Sequence, residues 1–175
     1  MMNYIRPLIG TVAFMGFVAS SLVHAAALFG VNVKAQLPGV WLLHFGIFAV
    51  FIPFVLFASR DFGARPPSLS QISAGLPRWV VVLGIVIWVY ATINFALFIA
   101  GTDGGSPAIR DGKYLLLDHG RVIREISAAE YSSFKVNEAR GFSGHWMAFY
   151  FVPAAYFLGW KSNNSFKPKP LRGSA

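Results

Sequence analysis

The sequence predicts an all-α membrane bundle of four transmembrane helices, with a small β-hairpin plus helix inserted between the third and the fourth. Three observations carry that prediction. Of 175 residues, 55% are hydrophobic and only 13% charged, with a mean hydropathy of +0.56, far from the mixture of a typical soluble domain. Four apolar stretches, residues 7–30, 38–58, 79–101 and 145–160, contain no Asp, Glu, Lys or Arg. Polar residues concentrate in one block, residues 102–144. The chain therefore divides into residues 1–101 with the first three helices, the insert 102–144, the fourth helix 145–160 and a basic tail 161–175.

Crossing about 30 Å of hydrocarbon takes about 20 apolar residues. The first three stretches satisfy this; the fourth is short, so it either begins near Phe142 or thins the bilayer locally. In the first span Ala13, Gly16, Ser20, His24 and Ala27 recur at spacings of three or four, a stripe of small residues that lets another helix approach closely. Arg6, the apolar run and Val23-His24-Ala25 also have signal-peptide character, and cleavage there would leave three spans. The run is longer than a usual signal core, so it is read as a span. Pro53 in the second span and Pro153 in the fourth each remove a helix hydrogen bond and should kink their helices. Trp41 and Trp146 mark one membrane interface, Trp79 and Trp160 the other.

The insert has soluble-protein grammar. Gly104-Gly105-Ser106-Pro107 reads as a loop, followed by two strands, residues 113–117 and 121–126, joined through Asp118-His119-Gly120. Ser127 and Glu130 form a capping box, and Tyr131, Phe134 and Glu138 continue at helical spacing towards the last span.

Charge orients the chain. Arg6, Arg60, Arg65, Arg78, Lys161, Lys167, Lys169 and Arg172 fall on one side, which the positive-inside rule makes cytoplasmic together with both termini. Lys34 and the six basic residues of the insert fall on the other. The net charge of +8 thus reads as topology, with the lipid bilayer and not nucleic acid as the partner. The absence of cysteine excludes disulfides, thiolate metal sites, iron–sulfur clusters and cysteine nucleophiles.

The segments His119-Gly120-Arg121-Val122-Ile123-Arg124-Glu125-Ile126, Glu130-Tyr131, Arg140-Gly141-Phe142-Ser143-Gly144-His145-Trp146-Met147 and Phe149-Tyr150 resemble a pattern in an uncharacterised family of small multi-pass bacterial inner-membrane proteins. The resemblance covers roughly residues 113–150. It implies a bacterial inner membrane and brings no activity with it.

Polar residues inside spans are where function is sought first, because each costs free energy unless it finds a partner or a role. His24, His44, Asn94 and His145 all fall in the half of the bilayer nearest the insert. His24 and His44 each lie about 9 Å below that surface at about 1.5 Å per residue. The simplest use is interhelical hydrogen bonding, to each other or to Asn94, Ser20 or Thr92. The sharper reading makes His24 and His44 axial ligands of haem b, or, with His145, ligands of a metal ion. Arg140, Ser143 and His145 offer a cation, a hydroxyl and an imidazole, yet no acid stands at triad spacing and no nucleophile elbow surrounds Ser143. Arg140 is placed to meet a lipid phosphate or to cap the approaching helix. The leading expectation is a non-enzymatic protein acting by protein contact through its extracytoplasmic insert, at Tyr131, Phe134 and Arg140, as an accessory subunit or toxin-immunity protein, with a protein partner or a second copy. A haem or metal protein is the alternative. A transporter component comes third.

Overall fold

The computed structural model describes residues 2–63 and 68–159; Arg65, Trp160 and the basic tail lie outside these. Helix α1 (Met2–Leu28) is closed by Gly30 in the left-handed region, with Val31 N–H on Ala26 O and Gly30 N–H on Ala27 O, the paired bonds that satisfy a helix's last carbonyls. A short α2 (Val33–Gln36) and a 3-10 turn (Pro38–Trp41) lead into α3 (Leu42–Phe62), which stops at Gly63. A small helix α4 (Leu69–Ala74), capped by Ser68 and Gln71, precedes α5 (Arg78–Ala100). Among the described residues, three helices, Tyr4–Leu28, Pro38–Phe62 and Arg78–Ala100, are long and apolar enough to cross a membrane.

The insert differs from the hairpin expected. Strands β1 (Ser106–Arg110), β2 (Lys113–Asp118) and β3 (Arg121–Glu125) form an antiparallel meander with β2 in the middle. The extra strand occupies part of the segment read as loop. Its signal was Asp111-Gly112: both residues take positive φ, 51° and 75°, the two-residue turn that Asp-Gly favours between paired strands. His119 and Gly120 repeat that geometry at 46° and 87°, as the sequence implied. Pro107 is tolerated because β1 is an edge strand.

The fourth helix differs too. Helix α6 runs unbroken from Ala128 to Ala154, joining the insert helix and the expected span into one element, and continues as a π turn, Ala155–Gly159. Ser127 and Glu130 form the capping box at its start. Gly141 and Gly144 do not interrupt it, although interior glycine costs about 1 kcal/mol relative to alanine; both are buried against neighbours. The wider turn follows directly on Pro153, whose missing N–H disrupts the regular ladder.

Helix α6 is the hub of the bundle, with α1, α3 and α5 packed around it. Its Trp146, Ala148, Tyr150 and Ala154, and Tyr156 of the π turn, are all buried. The α1 stripe of Ala13, Gly16, Ser20, His24 and Ala27 is buried throughout. Gly16 and Gly46 leave room for Tyr150, whose hydroxyl donates to Leu43 O at 2.8 Å.

Candidate functional site

Residues 137–146 of α6 gather every polar group singled out within the spans. Small residues make this possible. A Cβ on Gly141 would collide with Phe98, and one on Gly144 would stand 2.5 Å from Asn94 Nδ2 and 3.7 Å from His24 Cε1. With only hydrogen there, α1 and α5 bring their polar side chains onto the α6 backbone.

Asn94 donates from Nδ2 to Arg140 O at 2.9 Å and to Gly141 O at 3.4 Å. His24, 4% exposed, bridges two helices: Nδ1 lies 2.9 Å from Ser143 Oγ, and Nε2 meets the Tyr90 hydroxyl on α5. Ser143 Oγ donates in turn to Arg140 O at 3.2 Å. With the Ser143 hydrogen on Arg140 O, His24 donates from Nδ1 and accepts from Tyr90 at Nε2; with it on His24 Nδ1, the two roles of the ring reverse. His44 accepts at Nδ1 from Trp146 Nε1–H at 3.0 Å and sits among the rings of Trp41, Phe45, Phe48, Phe142 and Trp146. His145 donates from Nδ1 to Gly141 O at 3.3 Å and stacks edge-on to Phe95.

His24 and His44 therefore each turn to α6. Their partners are not Asn94, Ser20 or Thr92; Thr92 donates to Trp88 O within its own helix. Both nitrogens of His24 are engaged, so an axial-ligand role would require breaking one of those bonds. Among the described residues, no three His, Cys, Asp or Glu side chains gather in a group that could hold a metal ion. Tyr90 was invisible to sequence reading, because an aromatic within an apolar span carries no mark of polar duty.

The insert is fixed to α6 above this seam. Tyr131 stacks on Tyr114 of β2 with centroids 5.1 Å apart, and Lys135 Nζ lies 5.6 Å from the Tyr131 ring. Lys135 also pairs with Glu138 at 2.9 Å. Arg124 of β3 bonds to Glu130 at 2.8 Å. The Ser127 backbone N–H and this guanidinium hold the Glu130 carboxyl below the usual carboxylate range. Phe134 lines an open hollow of about 360 Å³ with Gly101, Asp103, Ala129, Glu130 and Ser133. Arg140 is half-buried and turned towards the end of α5.

A second polar cluster stands at the opposite end of the bundle. Arg6 forks onto both oxygens of Asp61, at 2.9 and 2.7 Å, Tyr156 donates its hydroxyl to the same carboxylate, and the guanidinium lies 4.9 Å from the Phe57 ring centroid. It ties α1 and α3 to the π turn. Assigning Arg6 to membrane topology hid this partner.

No protein-family profile, no curated protein and no solved structure matches the chain.

Proposed function

We propose that the chain is a four-span protein of a bacterial inner membrane, both termini cytoplasmic, that acts without catalysis by presenting its insert to a protein partner, as an accessory subunit or toxin-immunity protein. The resemblance of residues 113–150 to small multi-pass bacterial inner-membrane proteins supports the setting. The fourth crossing is α6 with its π turn. Asn137 bonds to the last carbonyls of α5, so it stands level with the end of that span. From Asn137 to Gly159 the chain rises about 33 Å at about 1.5 Å per residue, enough for about 30 Å of hydrocarbon. Beyond Arg140 this stretch has no charged residue.

The observation that carries the contact reading is the rigid joint between sheet and bundle. Tyr114 against Tyr131, and Arg124 against Glu130, clamp the meander onto the same unbroken helix that forms the core. A tethered loop needs no such clamp; a displayed surface does. Both edges of the sheet are blunted against indiscriminate strand pairing. In the β1–β2 register Arg110 pairs with Lys113 across the turn, so Pro107 occupies an outward-facing backbone position and offers no N–H. On β3 an extra residue, Ile123, bulges between the pairs Leu117↔Val122 and Leu116↔Arg124. The contact surface is then a face of side chains, with Val122 56% and Ile123 47% exposed.

A photocrosslinker at Val122 in the full-length protein in its native membrane tests this. The expected result is one discrete adduct, lost with Tyr131→Ala. Its persistence in that variant, or no adduct above that at lipid-facing Val86, overturns the contact reading. A Soret band in the purified protein, lost in His24→Ala and His44→Ala, would move the function to haem. Because the chain has no cysteine, labelling Lys113→Cys from outside intact spheroplasts tests the orientation.

A further inference from the structure

Arg140 is a cation with an unfinished set of bonds. Its side chain is half-buried, and Nε is fully buried without a hydrogen-bond partner among the described residues. Nη2 donates to Asn137 Oδ1 at 2.9 Å. Among the described residues, no carboxylate lies within ion-pair distance of it; Lys34, Arg60, Arg78, Arg110 and Arg121 share that lack but are exposed to their surroundings, whereas Arg140 is half-buried. A guanidinium held partly out of water with no counter-charge is costly. An anion from outside the chain would balance it.

The position says which anion. Asn137 donates from Nδ2 to Phe98 O at 3.0 Å and Gly101 O at 3.2 Å, which caps the end of α5, and holds Arg140 with its own carbonyl oxygen. The guanidinium is thereby fixed beside Gly101, where the Arg78–Ala100 span ends. In a membrane that level is the headgroup layer. The backbone of Arg140 lies deeper, its carbonyl bonded to Asn94 within the span; the side chain climbs from there towards the N-terminus of α6, as long cationic side chains do to reach the interface.

From this geometry we infer that Arg140, positioned by Asn137, binds the phosphate of a bilayer phospholipid at the insert end of the bundle, one lipid per chain. This rests on the membrane-spanning reading of the helices and is independent of the insert's partner. Guanidinium suits the task because its planar fork donates two N–H groups to a phosphate at once; with Nε sealed inside, these are Nη1 and the second hydrogen of Nη2.

Native mass spectrometry of the full-length protein, released from nanodiscs of phosphatidylglycerol and diacylglycerol, tests the site. The wild type should keep one phosphatidylglycerol and favour it at least tenfold over diacylglycerol, which has the same chains and no phosphate. Arg140→Gln should lose the adduct at least tenfold, and Arg140→Lys should retain it more weakly. Equal retention of the two lipids by the wild type overturns the proposal whether or not any variant folds. So does an undiminished adduct in Arg140→Gln. Displacement of the lipid by millimolar inorganic phosphate would assign the site to a free anion instead.

Discussion

Helix α6 and the three helices around it reverse the rule of water-soluble proteins. Helices α1, α3 and α5 are strongly apolar, yet Leu8, Met15, Leu56, Val82, Ile85 and Ile93 on their surfaces are more than half exposed. Helix α6 carries Ser, His, Asn and Arg and is the most enclosed of the four. Lipid gives no hydrophobic reason to bury a leucine, so association relies on close packing and interhelical hydrogen bonds. The helix with glycines and polar groups therefore takes the centre.

Substitutions at both kinds of position break or sharpen that contrast. The largest effect should come from Gly141→Leu, which drives a side chain into Phe98; overpacking of this kind costs about 1–3 kcal/mol or more. The expected outcome is loss of monodisperse protein on gel filtration, while the same bulk added at exposed Ala96→Leu on α5 leaves the elution unchanged. Asp61→Asn removes the charge that Arg6 and Tyr156 share, and charge-assisted hydrogen bonds contribute about 1.5–3 kcal/mol. A lowered melting midpoint in detergent checks it. Ser143→Ala strips His24 Nδ1 of its hydrogen-bond partner and should cost about 1–3 kcal/mol; restoration by Ser143→Thr would show that the hydroxyl, not the volume, matters.

The sheet edges give a smaller and more specific test. Pro107→Thr restores an outward N–H on β1 and should raise a concentration-dependent dimer in native electrophoresis without lowering the melting midpoint. The smallest effect belongs to acid. Glu130 has its folded pKa depressed by Ser127 N–H and Arg124, so its contribution is complete above the unfolded carboxylate value and falls away as pH drops through the lower folded value. Protection factors of the amides in the first turns of α6, referenced to the intrinsic exchange rate at each pH, should fall below about pH 4 and do so less in Ser127→Ala, where the cap is already weakened.

What the sequence disclosed followed from local spacing. The α1 stripe, the Ser127–Glu130 cap and the His119-Gly120 turn each depend on residues within a few positions of one another. Strand β1 was hidden because Gly-Gly-Ser-Pro outweighed the equally clear Asp111-Gly112. The partners of His24 and His44 were not legible: Ser143 and Trp146 lie 119 and 102 residues away, and only the central position of α6 brings them within reach. The pairing of Arg6 with Asp61 was missed because the two lie 55 residues apart on different helices.

An unbroken α6 also has a consequence for insertions and deletions. Each residue turns a helix by about 100° and advances it by about 1.5 Å. Removing one residue between Tyr131 and Asn137 would leave both halves individually correct but swing the sheet through more than a quarter-turn relative to the seam at Ser143. The bearing of the displayed face is thus written in a residue count, which confines length variation in this chain to the hairpin turns and the loops away from α6.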